Sequence, residues 1–116
     1  MKKPVYKERE QDVVNAIIEY LRYKRFYAQR MNSGAISTKS GNMIRLAPIG
    51  TPDIMAFKVL AMGYCMMPHL GLFFFEVKVG NNKPTFFQKQ KMIELESYGA
   101  KCYVVHSVSE VEKILG

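Results

Sequence analysis

The chain has 116 residues, 48% of them hydrophobic, and a formal net charge of +7. That length fits one compact domain spanning 1–116 with a real core, and the apolar fraction argues against disorder. No apolar run approaches the roughly 20 residues of a membrane span.

The opening MKKPVYKERE is charged and leads into no hydrophobic signal region, so the expected location is the cytosol. Cys65 and Cys102 are then expected as free thiols in a reducing compartment. The basic charge favours a polyanionic partner, with nucleic acid first.

The first predicted element is a helix over Tyr6–Lys24. At about 100° per residue, Val13, Val14, Ile17 and Leu21 share one stripe. Glu8, Asp12 and Glu19 fall on the polar side, but Glu10 falls on the apolar stripe. A carboxylate there is costly unless it is paired or bound to a cation. The alternative is a place in the first helical turn, where acids suit the helix dipole. Strand character follows in FYAQRMN, then a turn-rich SGAISTKSGN and a short strand MIRLA. The loop PIGTPD feeds a third strand, IMAFKV. The Met-rich LAMGYCMMPHLG reads as an apolar connection, LFFFEVKV as the strongest strand and GNN as a turn. A helix is predicted from Thr85 to Tyr98, with Thr85 and Gln88 at capping-box spacing. KCYVVH is a final strand and SVSEVEKIL a final helix. This succession of helices and strands places the chain in the mixed α/β class.

Side chains alternate along a strand, so Leu72, Phe74, Glu76 and Lys78 share one face of LFFFEVKV. Phe73, Phe75, Val77 and Val79 form a wholly apolar opposite face. Glu76 and Lys78 thus stand together at the C-terminal end of a strand apolar on both sides. One reading is a local ion pair where the strand emerges into solvent; the other is a site. Asp53, preset by Pro52, opens the preceding strand from a loop, although Pro-Asp alone is ordinary turn chemistry. Gln88 shares a helical face with Met92 and Leu95. Carboxylates converging at a strand end form an oxygen-rich site for a hard divalent ion, Mg²⁺ by default with Mn²⁺ as a substitute. A lysine beside them orients water and stabilises developing negative charge. In a basic protein this set points to metal-dependent phosphodiester hydrolysis.

Pro52-Asp53 followed by Glu76-Val77-Lys78 resembles the signature of the PD-(D/E)xK nucleases. The helix carrying Glu10 before AIIEYL, RMNSG at Arg30–Gly34, GTPDI, FEVKVGNNKPTFFQ and GAKCYVV extend the resemblance over nearly the whole chain. Together they make it similar to a stand-alone VRR-NUC domain, the virus-type replication-repair nuclease module. That resemblance implies a restriction-endonuclease-like αβββαβ core with a mixed central sheet flanked by helices. It implies Asp53 and Glu76 as metal ligands with the Val77 carbonyl, and Lys78 positioning the water. Glu10 and Gln88 would complete the site, Glu10 on the metal side. Arg30, Asn32, Ser33 and Lys83 are the candidate DNA contacts, Asn32 and Ser33 also being ordinary turn residues and Lys83, with Lys89 and Lys91, equally a solvated surface. The resemblance further implies a homodimer acting on branched DNA such as a four-way (Holliday) junction. The turn GNNKPT carries less glycine than is usual after the ExK strand.

The competing class is a nucleic-acid-binding module on the same fold without chemistry, against which stands the intact acid-acid-lysine set. Cys65-x3-His69 and Cys102-x3-His106 would supply four zinc ligands, but neither has the CxxC spacing of common zinc motifs. Tyr64, Met66, Met67 and Leu70 read either as an adaptable surface for a partner subunit or as a loop over the core.

Overall fold

The computed structural model describes residues 9–31, 35–45, 47–62 and 68–116. Helix α1 (Glu10–Tyr23) buries Val13, Val14, Ile17, Ile18 and Leu21, the stripe its sequence period dictates. It ends at Lys24, after which Arg25 takes a left-handed φ of 67° and turns the chain into β1 (Tyr27–Arg30). Among the described residues, strands β2 (Ala35–Ser37) and β3 (Met43–Arg45) pair only with each other. Thr38 closes their turn: its amide donates to the Asn42 carbonyl at 2.7 Å and its hydroxyl accepts from the Asn42 amide at 3.1 Å. β4 (Ile54–Met62), β5 (Pro68–Val77), α2 (Phe86–Ser97), β6 (Lys101–Val105) and α3 (Val108–Leu115) complete the chain.

The main sheet has the order β1-β4-β5-β6, antiparallel except for the parallel β5–β6 pair. A parallel pair needs a crossover, and α2 supplies it. Leaving out the β2–β3 hairpin, the elements α1, β1, β4, β5, α2 and β6 make the expected αβββαβ core with a mixed sheet. The apolar face of β5, with Phe73, Phe75 and Val77, joins Ile54, Ala56 and Val105 beneath α1 and α3 to form the core. Phe74 and Glu76 point to the opposite face, on the side of α2, and are buried there.

Two expectations need correction. SGAISTKSGN contains strand β2, and MIRLA pairs with it rather than joining the main sheet. The apolar connection is also shorter than expected, because β4 runs on to Met62 and β5 begins at Pro68, past a bulge between Val59 and Ala61. Pro68 is tolerated as the first residue of its strand, where a missing N–H costs least. Tyr64, Met66 and Met67 lie outside the described residues. Among the described residues no helix is long and apolar enough to cross a membrane.

Candidate active site

The antiparallel register sets Ile54 opposite Phe75, which brings Asp53, just before β4, beside the end of β5. The Asp53 Oδ2 accepts a hydrogen bond from the Val77 amide at 2.8 Å. Its own carbonyl accepts from the Met31 amide at 2.7 Å, tying the end of β1 to the same spot. The loop ahead of Asp53 is folded by Thr51, whose hydroxyl donates to the Pro48 carbonyl at 2.7 Å.

Gly50 presses that loop onto the first turn of α2. Its φ is +84°, and a Cβ there would overlap the Phe87 carbonyl and come within 3.1 Å of the Gln88 nitrogen. Only glycine combines the left-handed backbone with such an approach.

Gln88 acts at two places. With Thr85 it forms a full capping box: its amide donates to the Thr85 hydroxyl at 3.2 Å, and its Oε1 accepts from the Thr85 amide at 2.8 Å. Its Nε2 then donates to the Glu76 Oε1 at 2.9 Å. The residue that starts the helix therefore also anchors the carboxylate.

Glu76 is 1% exposed. The Lys78 ammonium lies 3.5 Å from the same Oε1 that Gln88 holds. Oε2 is buried and accepts no hydrogen bond among the described residues, while the protonated carboxyl can share its proton with Asp53. Burial chiefly, and the charge of Asp53 next, push the Glu76 carboxyl up to about 8, against the opposing pull of Lys78. A buried carboxylate with one bare oxygen beside a second carboxylate is under-compensated, and a hard cation would satisfy it. The donor set therefore fits a divalent ion.

Asp53, Glu76, Val77, Lys78 and Gln88 thus come together, Val77 through its amide. Glu10 begins α1, half-buried in the first turn. The last turn of that helix lines a cavity with Lys58 and Phe73, which directs its first turn toward the Asp53–Val77 end of the sheet. Among the described residues no three His, Cys, Asp or Glu side chains form a group that could hold a metal, so Glu10 stands apart from the two carboxylates. Arg30 is exposed and pairs with Ile54, one residue from Asp53. Asn32 and Ser33 lie outside the described residues.

Lys83 is exposed and, with Asn81, Asn82 and His106, borders a cavity of about 520 Å³. That cavity adjoins the site, since the Lys78 amide donates to the Val105 carbonyl at 3.0 Å. The sequence reading missed Gly50, Thr51 and His106 as neighbours of the site. For His106 a signal existed, because KCYVVH ends beside FEVK once the two strands are taken as parallel. In place of zinc, His106 meets a carboxylate: its amide and Nδ1 lie 2.7 and 3.1 Å from Glu110 Oε2. Cys102 is a free thiol that burial pushes up to about 11, and Cys65 lies outside the described residues.

A solved structure described as a VRR_NUC domain superimposes on 91% of this chain and 92% of its own, with a TM-score of 0.57 and 21% sequence identity. The chain therefore has the fold of a VRR_NUC domain, an α/β nuclease-type fold. No protein-family model matches the sequence, and no curated protein does.

Proposed function

We propose that this protein is a divalent-metal-dependent endodeoxyribonuclease, a single cytoplasmic domain hydrolysing phosphodiester bonds in DNA. The observation that carries the reading is the buried Oε2 of Glu76, which accepts no hydrogen bond among the described residues, beside the Asp53 carboxylate. The shared fold with a VRR_NUC domain and the net charge of +7 support it.

Asp53 and Glu76 would hold Mg²⁺, or Mn²⁺ in its place, together with the Val77 carbonyl, and Glu10, which stands apart from them, would complete the site only when drawn in by the bound ion. Such an ion, when bound, supplies a lowered pKa for water and neutralises charge on a phosphoryl oxygen. The protein's own groups prepare the rest. The Val77 amide fixes the Asp53 carboxylate through Oδ2, and Gln88 fixes Glu76 through Oε1, leaving Oε2 as its free donor. Lys78 donates to the attacking water and stabilises negative charge as the P–O bond to the leaving oxygen breaks. Arg30 and Lys83, with Asn32 and Ser33, would bind backbone phosphates and position the strand without reading sequence.

One such site cuts one strand. We therefore extend the reading to a homodimer with a preference for branched DNA, two-fold symmetry being the commonest way to supply a second site. Leu60 and Leu70, 54% and 62% exposed near the β4–β5 turn, offer apolar contact surface for it.

The test is incubation of supercoiled plasmid with the protein and Mn²⁺ or Mg²⁺, with and without chelator. Nicking that requires the ion is the expected result. Cleavage unaffected by chelator would reject metal dependence, and no cleavage with either ion would favour the binding module.

A further inference from the structure

At the opposite end of the sheet from Asp53, on the face covered by α1 and α3, lies a cavity of about 510 Å³. Lys24, Lys58 and Lys101 line it, from three different elements or their ends, and no Asp or Glu does. Each ammonium sits over an aromatic ring of the same cavity: Lys24 is 6.0 Å from the Tyr20 centroid, Lys58 5.2 Å from Phe26 and Lys101 5.7 Å from Phe73. None of the three forms an ion pair with a described residue. Lys58 is also anchored, donating to the Lys24 carbonyl at 3.1 Å.

Three ammonium groups around one concavity, against at most the single terminal carboxylate of Gly116, favour an anion. Tyr20 and Tyr103, both half-buried, add planar apolar surface beside them, over the buried rings of Phe26 and Phe73. A bare inorganic anion would use the charges and leave the rings idle. An acidic peptide would use the charges but has no planar group to stack. A nucleotide uses both, with its phosphate on lysines and its base against aromatic side chains. The size suits such a ligand, since small-molecule pockets run from about 300 to 1,000 Å³.

We propose that this cavity is a nucleoside-phosphate site, separate from the Asp53–Glu76 carboxylates and independent of the nuclease reading. The shared chemistry is one nucleotide, either free or as one unit of an unpaired DNA strand.

The test is amide and side-chain NMR of the full chain in EDTA, titrated separately with deoxyadenosine monophosphate, deoxyadenosine, inorganic phosphate, oligo(dT) and polyglutamate. The monophosphate or the oligonucleotide should shift the signals of Tyr20, Lys24, Lys101 and Tyr103 saturably. Saturation by the monophosphate assigns a free nucleotide, and saturation by the oligonucleotide alone assigns a strand. Deoxyadenosine and inorganic phosphate should each bind at least about tenfold more weakly, having lost one half of the recognition. Lys101→Ala and Lys24→Ala should each weaken the response by about tenfold, while Lys39→Ala, in the β2–β3 turn, leaves it unchanged. Lys58 is left intact because its anchoring bond makes a folding defect a risk. No saturable shift at these residues with either nucleotide probe would overturn the proposal. So would equal binding of polyglutamate, or of phosphate alone.

Discussion

Glu76 is where sequence, burial and chemistry meet most tightly. Its folded-state pKa of about 8 lies above the ordinary 4.5, so between these values the folded protein holds a proton that the unfolded chain has released. Stability contributed by that proton is fully present below pH about 4.5 and is lost as pH rises through about 8. Without metal, thermal unfolding followed from pH about 5 to about 9 should show a falling melting temperature. Glu76→Gln, which keeps an acceptor for Gln88 and cannot ionise, should remove that part of the slope. Mg²⁺ should restore stability to the wild type more at high pH than at low, since the ionised carboxylate is its ligand. Identical slopes for wild type and variant would show that Glu76 is not held as described. Glu10 offers a second comparison at this scale. Glu10→Gln should lower cleavage under limiting Mg²⁺ well below that of Glu19→Gln, because only Glu10 lies on the stripe that α1 turns to the sheet. Equal rates would remove Glu10 from the site.

Among the elements, α2 and the loop before β4 determine whether the residues meet. Thr85→Ala should cost about 1 kcal/mol of stability through the lost cap while retaining most activity. Gln88→Ala loses the same cap and also the support of Glu76, so its activity should fall further at a similar melting temperature. Gly50→Ala should impair both, since the added methyl must displace the Phe87 carbonyl or the Asp53 loop. Melting curves beside cleavage rates separate these three variants. A Thr85→Ala protein as inactive as Gln88→Ala would mean that Gln88 acts only as a cap.

These elements also mark what the sequence makes legible. The capping box and the alternation of LFFFEVKV are local patterns, and they predicted α2 and the two faces of β5 correctly. The αβββαβ order and the pairing of Asp53 with Glu76 came from the family signature together with that alternation. The strand in SGAISTKSGN was missed because its turn residues outweigh three short strand positions. The Gly50–Phe87 approach and the position of His106 were missed because each depends on tertiary packing between segments far apart in sequence. Glu10 is half-buried in the first turn of α1 and is not among the residues that the helix buries, because helical phase does not fix how far along a helix the buried stripe extends.

The whole molecule combines a basic surface with a carboxylate site, which divides affinity from chemistry. Affinity should come from cations spread over the surface, so it should fall steeply with salt and change little when one carboxylate is altered. Assembly belongs to this scale too. Light scattering should give a dimer at micromolar concentration, and cuts mapped on a labelled four-way junction should be paired by its two-fold symmetry. A monomer that nicks linear duplex equally well would reject the dimer and the junction preference and leave the metal site untouched. The most direct measurement of the central claim compares wild type with Glu76→Gln for plasmid cleavage in Mn²⁺ and for DNA affinity in the same buffer. The account predicts near-equal affinity with cleavage lost in the variant, and full cleavage by Glu76→Gln would contradict it.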